Sequence, residues 1–274
     1  MNVIMNETLS NIFDRASLTY DTFGPRYFSY FGKRLVEVVG INEGKRVLDV
    51  AAGRGASMFV AADKAGIRGS VTGIDFSSGM VRETSNEIEK RGLMNVKMIK
   101  MCAEELKFED NTFDYVLCGL AIQFFSDYKR ALNEIYRVLN SGGTFGISTW
   151  AKKEGGGVLG NVLPKYMPIN TNLNNRPERP DWGTEIGMQN IMKDVGFQKI
   201  DTIIEDKRLY YIDEEDWWNE QWSNSSRGVF ERIEKMGEDI LQSFKEDAFK
   251  ELQKYRDDKG IFFDGDVIFT ICKK

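Results

Sequence analysis

The sequence predicts an α/β fold built on a doubly wound, mostly parallel sheet. Three observations carry that expectation. Short apolar runs alternate with stretches of helical periodicity between residues 45 and 150. Glycines follow the first run and an aspartate ends the second, where such sheets place their ligands. The chain has 274 residues, 42% hydrophobic and 29% charged, enough for one large core.

The first forty residues read as two helices. Leu9, Ile12, Phe13 and Ala16 share one face. After Gly24-Pro25, Phe28, Phe31, Leu35, Val38 and Val39 follow a helical period, with the proline in the first turn. Val47–Val50, Val71–Asp75, Val96–Met101, Phe113–Gly119 and Thr144–Trp150 read as strands. Helices follow the first strand through Ala65, then span Ser77–Arg91 and Asp127–Leu139. Residues 151–183 hold Gly155–Gly157 and four of the five prolines, so they read as a long irregular connection. Glu154 and the glycine run offer it a hinge. A helix over Thr184–Val195, stopped by Gly196, precedes a strand at Lys199–Tyr211. Residues 213–258 read as largely helical, and the last apolar run, Gly265–Ile271, as a terminal strand.

Composition narrows the chemistry. The chain contains no histidine. Imidazole bases, Ser-His-Asp and Cys-His machinery and histidine-ligated metals are therefore excluded, and no metal is expected. Lysine and arginine number 37 against 42 acidic residues, a net charge of −5. That balance argues against nucleic acid and anionic membrane surfaces as partners. No apolar run approaches the roughly 20 residues of a membrane span, and the N-terminus does not read as a secretory signal. Cys102, Cys118 and Cys272 are too scattered for a disulfide framework. A cytoplasmic location is expected.

Two features point to a ligand. In Leu48-Asp49-Val50-Ala51-Ala52-Gly53-Arg54-Gly55, glycines directly after a strand let a ligand approach the backbone. A plain tight turn is the alternative. Asp75, 26 residues after Asp49, can accept hydrogen bonds from both ribose hydroxyls, or can cap the following helix. Together they suit an adenosine-type ligand. A dinucleotide turn needs a third glycine where Met58 stands.

Four segments occur in order. They are Asp49-x-x-x-Gly53-x-Gly55; Gly73-Ile74-Asp75-Phe76-Ser77 with Met80; Ala103-Glu104-Glu105-Leu106-x-Phe108 followed by Phe113-Asp114; and Arg137-Val138-Leu139-x-x-Gly142-Gly143. This arrangement resembles the class I S-adenosylmethionine-dependent methyltransferases. Within them it resembles the small-molecule branch of the ubiquinone-menaquinone methyltransferase type. The resemblance runs motif by motif over residues 20–150 and more loosely over 184–274.

It implies a Rossmann-like, seven-stranded, mostly parallel sheet with an antiparallel last strand. It also implies one domain: a helical lid (1–40), a cofactor-binding core (41–150), substrate-side loop and helices (151–261) and a terminal strand (262–274). The implied cofactor is S-adenosylmethionine, with S-adenosylhomocysteine as product. Its expected contacts are Tyr20, Asp49, Ala51, Gly53, Gly55, Asp75, Phe76, Met80, Cys102, Ala103, Glu104 and Gly119. The family often has an acidic residue where Cys102 stands, and a thiol is a poor acceptor for the adenine amino group. After the fourth strand, where the family commonly has histidine, this chain has Leu120–Phe125, including Gln123.

The missing imidazole bears on mechanism. Displacement at a sulfonium methyl has an excellent leaving group, so alignment supplies much of the rate. An acceptor that loses its proton readily is expected, with oxygen or nitrogen methylation favoured over carbon. Tyr20 and Gln123 are the candidate catalytic residues. Aromatic residues concentrate in the N-terminal helices and after the sixth strand, as core packing or as the wall of an apolar substrate site. The candidate substrate residues are Tyr27, Gln123, Phe124, Trp150, Trp182, Trp217 and Trp222. The expected partner is a small apolar or aromatic acceptor, and the protein a monomer or homodimer. The competing reading keeps the fold and cofactor but catalyses cyclisation or elimination without methyl transfer.

Overall fold

The computed structural model describes residues 2–152, 157–167 and 180–274, with the side chains of residues 2–8 outside the description. The sheet strands are β1 (Arg46–Val50), β2 (Ser70–Asp75), β3 (Val96–Lys100), β4 (Phe113–Gly119), β5 (Leu139–Trp150), β6 (Gln198–Tyr211), the two-residue β7 (Arg256–Asp257) and β8 (Gly260–Lys273). Their order is β3-β2-β1-β4-β5-β8-β6, with β7 beside β8. The first five run parallel, and β8 lies antiparallel between β5 and β6. The mostly parallel α/β sheet read from the sequence is the architecture observed, and the short β7 adds an eighth strand. The order reverses between β1 and β4, which opens a crevice outside their carboxyl ends.

Around the sheet lie α1 (Asn2–Ala16), α2 (Tyr27–Val39), α3 (Met58–Ala65), α4 (Ser78–Lys90), α5 (Tyr128–Val138), α6 (Gly157–Tyr166), α7 (Glu185–Val195), α8 (Glu214–Trp222), α9 (Arg227–Glu234) and α10 (Glu238–Leu252). Local signals set several ends. Ser77, Asp127 and Thr184 cap α4, α5 and α7, each side chain accepting a backbone N–H of the first turn. Gly196, at φ 106°, ends α7 as expected. The buried face of α5, Ala131, Leu132, Ile135 and Val138, repeats at helical spacing.

Apolar residues cover both faces of the sheet. One cluster packs α5 and α7 against β1, β4 and β5, and another packs α2 and α3 on the opposite face. A third lies under α6, α8, α9 and α10, with Trp218, Phe230 and Phe244 at its centre. Among the described residues, no helix is long and apolar enough to cross a membrane.

The structure departs from expectation in three places. Pro25 precedes α2, whose cap is Arg26 at φ 52°, so the proline marks the loop and not the first turn. Within 151–183, α6 forms despite Pro164, because Val158, Leu159, Val162 and Leu163 pack into the third cluster. The proposed hinge at Glu154–Gly156 lies outside the described residues. The pairing of β5 starts at Leu139, and its register shifts between Phe113 and Tyr115.

Candidate functional site

A cavity with about 710 Å³ of empty space opens at the crevice. Its floor comes from Ala51 and Gly53 after β1, from Ile74–Phe76 at the end of β2, and from Gly119–Ala121 after β4. Met101–Glu104, after β3, close one side. Ala51 and Leu120 adopt positive φ, 56° and 50°, although neither is glycine. Left-handed backbone at side-chain-bearing residues is uncommon and gathers at functional sites. Here both sit where strands turn beneath the cavity. Gly53 (φ 53°) has nothing within 4 Å of where a Cβ would project. Its bare backbone keeps the space open.

Asp75 is the charged anchor. Its side chain is buried, with Oδ2 accepting the Gly53 N–H and Oδ1 the Ser77 N–H, both at 2.9 Å. Burial pushes its carboxyl up to about 6, against hydrogen bonds from the Ser77, Gly53 and Phe76 backbone. The helix cap is Ser77, so Asp75 is left to tie the glycine turn to β2 and face the cavity. An ionised carboxylate held this way has lone pairs for a diol. Ala103, Phe76 and the thioether of Met80 line the same cavity with apolar surface that suits an adenine ring. The carboxylate, this apolar surface and the open Gly53 cradle therefore fit S-adenosylmethionine.

Cys102 behaves as a donor: its thiol reaches Glu104 Oε2 at 2.6 Å. Glu104 Oε1 also accepts the Ser126 N–H and hydroxyl, at 2.9 and 3.0 Å. The Glu104 side chain thus pins the loop after β3 to the start of α5.

Two expected cofactor residues lie behind the wall. Asp49 is wholly buried, and its Oδ2 accepts the Ser57 hydroxyl at 2.6 Å. Burial pushes it up to about 7, opposed by the Ser57 bond and reinforced by the charge of Asp75. Its Oδ1 has no hydrogen-bond partner among the described residues. At Gly55 an added Cβ would meet the Phe59 ring at 2.6 Å, so this glycine permits packing inside the turn. The remaining expected cofactor residues line the cavity together.

Helix α1 packs beside the cavity. Asp14 Oδ1 accepts the Gly79 N–H at 2.7 Å and the Ser77 hydroxyl, which docks α1 on the start of α4. Phe13 then packs edge-on against Phe76 and Phe124 over the cavity. Tyr20 lines the same cavity and stacks on Phe28, centroids 4.8 Å apart. Burial raises its phenol well above the ordinary value, as do the charges of Asp21, Asp75 and Glu220.

A second, larger cavity adjoins the first, with about 1820 Å³ of empty space including its open mouth. Phe124 lines both. Of the expected substrate residues, Tyr27, Gln123, Phe124, Trp150 and Trp217 line this cavity. Trp182 does not: it packs edge-on against Tyr128, and its carbonyl accepts the Thr149 hydroxyl. Trp222 is drawn away onto Phe230 and Arg227. Gln123 Nε2 donates to the Leu120 carbonyl at 2.7 Å, bracing the turn after β4.

Several lining residues escaped the sequence reading. Ile74, Met101, Leu120, Ala121 and Phe125 flank the expected contacts in the first cavity, and adjacency to the motifs was their only signal. Glu220 and Phe263 enter the second cavity from α8 and β8, beside Tyr211 of the expected aromatic group at the end of β6. Nothing in their spacing announces that convergence.

Comparisons with known proteins bear on the family and the fold. The ubiE/COQ5 methyltransferase family model matches residues 1–155. The aklanonic acid methyltransferase DauC of Streptomyces sp. (strain C5) is 38% identical over 161 residues, which cover 59% of this chain and 72% of that protein. A demethylmenaquinone methyltransferase of Listeria welshimeri is 33% identical over 147 residues, 52% of this chain and 62% of its own length. The chain therefore spans less than two thirds of that relative. Among solved structures, the YcgJ protein of Bacillus subtilis superposes with a TM-score of 0.58 at 21% identity, covering 89% of this chain and 98% of that one. The last likeness concerns the fold alone. The family match spans more than half of the chain, and the protein belongs to the ubiE/COQ5 methyltransferase family.

Proposed function

We propose that this methyltransferase moves the methyl group of S-adenosylmethionine to an oxygen or nitrogen of a small aromatic acceptor. The observation that carries the reading is the pair of adjoining cavities. One has the buried Asp75 and an open glycine cradle; the other is walled by aromatic rings; Phe124 belongs to both. The bound cofactor supplies a methyl carbon on a positively charged sulfur, already a good leaving group. Asp75 holds the ribose, and the Ala103 backbone with Phe76 and Met80 holds the adenine. Phe13 and α1 cover the first cavity and exclude water. Tyr20 stands at the junction, where its phenol oxygen can take weak CH···O contacts from the methyl group. Phe28, Trp150 and Trp217 present flat apolar surface to the acceptor. Alignment of the two bound molecules then supplies most of the rate.

The test is turnover with radiolabelled S-adenosylmethionine and a panel of hydroxyaromatic and arylamine compounds. The expected result is a product heavier by one CH2, matched mole for mole by S-adenosylhomocysteine. An isomerised product without S-adenosylhomocysteine would establish the cyclase or lyase reading instead. Methylation confined to carbon would refute the oxygen or nitrogen assignment.

A further inference from the structure

Glu220 is a carboxylate in an unexpected place. It stands on α8 in the wall of the second cavity and is only 4% exposed. Its hydrogen-bond partners are neutral. The Tyr27 hydroxyl, from α2, donates to Oε1 at 2.6 Å, and Asn224 Nδ2 donates to the same oxygen. Gln221 Nε2 donates to Oε2, and the Tyr211 hydroxyl from β6 also bonds this side chain. Burial without a cationic partner favours the protonated form, and the Glu220 carboxyl rises to about 7. The charges of Asp21, before α2, and Asp216, on α8, add to the rise, while the bonds from Tyr27 and Asn224 oppose it. From β8, Asp264 and Asp266 also line this cavity, the former paired with Arg208.

Tyr27 is 9% exposed and lines the same cavity. Its ring lies 4.4 Å from that of Phe28, which stacks on Tyr20. Asn224 Nδ2 also reaches Tyr27 Oη at 3.3 Å and fixes its orientation. Tyr20 in turn feels the charges of both Asp75 and Glu220. This places the pair at the end of the acceptor cavity that faces the cofactor cavity. Gly24, at φ 67°, allows that approach: a Cβ there would meet Glu220 Cγ at 2.8 Å and the Tyr211 ring at 2.9 Å.

We propose that Tyr27 and Glu220 form the proton-accepting pair of the reaction, in the role histidine cannot take in this chain. The proposal rests on the acceptor occupying the second cavity. As the bond from nucleophile to methyl carbon forms, the carbon–sulfur bond breaks and sulfur keeps its electron pair. The nucleophile's proton passes to Tyr27 Oη, and the Tyr27 proton passes to Glu220. Tyr27 touches the acceptor; Glu220 acts through it. The charge ends as a neutral carboxylic acid, which a buried site favours.

The experiment compares wild type, Glu220→Gln and Tyr27→Phe, each first shown by calorimetry to bind S-adenosylhomocysteine. Infrared difference spectra across neutral pH should show, beside the bands of the buried Asp49 and Asp75, one further carboxyl that titrates in the wild type and is missing in Glu220→Gln. Two acceptor probes then separate a base from a strut. With 2-naphthol, the wild-type rate should rise with pH through about 7, while both variants fall about 100-fold; Glu220→Gln should also lose the pH-dependent limb. With 2-naphthalenethiol, already ionised at neutral pH, the loss in both variants should shrink to less than about tenfold, because no proton has to be accepted. Equal losses with both probes, or an unchanged limb in Glu220→Gln, would overturn the proposal. A missing infrared band would overturn it independently. If wild type binds the cofactor but methylates neither probe, the acceptor-cavity reading fails and takes the proposal with it.

Discussion

Asp75→Asn isolates the charge on which the cofactor site depends. Asparagine keeps the size of the side chain and one carbonyl-type acceptor, but loses the charge and turns one acceptor into a donor. In the native protein both carboxylate oxygens are oriented by backbone N–H groups at 2.9 Å. Two ribose hydroxyls donating to a charged acceptor contribute about 1.5–3 kcal/mol each, and a surviving neutral bond about 1 kcal/mol. The net loss is then about 2–5 kcal/mol, or roughly 30- to 5,000-fold in Kd. Calorimetry with S-adenosylhomocysteine measures it. Adenosine against 2′,3′-dideoxyadenosine provides the internal control: wild type should prefer the diol, and Asp75→Asn should be nearly indifferent. If Asp75→Asn binds S-adenosylhomocysteine within threefold of wild type, Asp75 only braces the turn and the assignment of the ribose site is refuted.

Two further outcomes follow from the same structure. Asp49, Asp75 and Glu220 all have carboxyls raised by burial, to about 7, 6 and 7. Each binds its proton more tightly folded than unfolded, so the cost of ionising it is absent below about pH 4 and complete above the folded value. For Asp75 alone that cost is about 3 kcal/mol. The cofactor-free protein should therefore lose denaturant stability as pH rises from 5.5 to 8, and Glu220→Gln should flatten the slope; a midpoint rising over that range would contradict the burial argument. At Gly32 on α2, an added Cβ would meet Ala56 C at 2.7 Å and Ser57 N at 2.9 Å, backbone atoms of the glycine turn. Gly32→Ala should cost about 1–3 kcal/mol of stability and weaken S-adenosylhomocysteine binding through the displaced turn; an unchanged melting temperature and Kd would show that the turn yields freely.

The two halves of the site differed in how far they could be read from sequence. Gly53, Asp75 and Ala103 each sit within a few residues of a strand end, so strand pattern and local chemistry identify them together. Asp49, at the end of β1, and Gly55, in the turn after it, face inward, and spacing alone does not reveal which residues around a turn face a cavity. The second cavity is assembled from residues of α2, β5, α6, β6, α8, α10 and β8. Its residues lie far apart in the chain, so Trp150 and Trp182 look alike in the sequence, although only Trp150 faces the cavity. The family match ends at residue 155, before Tyr211, Glu220 and Phe263. In α6, tertiary packing overrode the local preference of Pro164 and the nearby glycines.

The arrangement of two adjoining cavities is tested most directly by a crystal structure of the S-adenosylhomocysteine complex. The expected structure has both ribose hydroxyls on Asp75, adenine beside Ala103, and the sulfur beside Tyr20, pointing past Phe124 into the aromatic cavity. A cofactor bound elsewhere, or a sulfur directed away from the wall that carries Tyr27 and Glu220, would contradict the account.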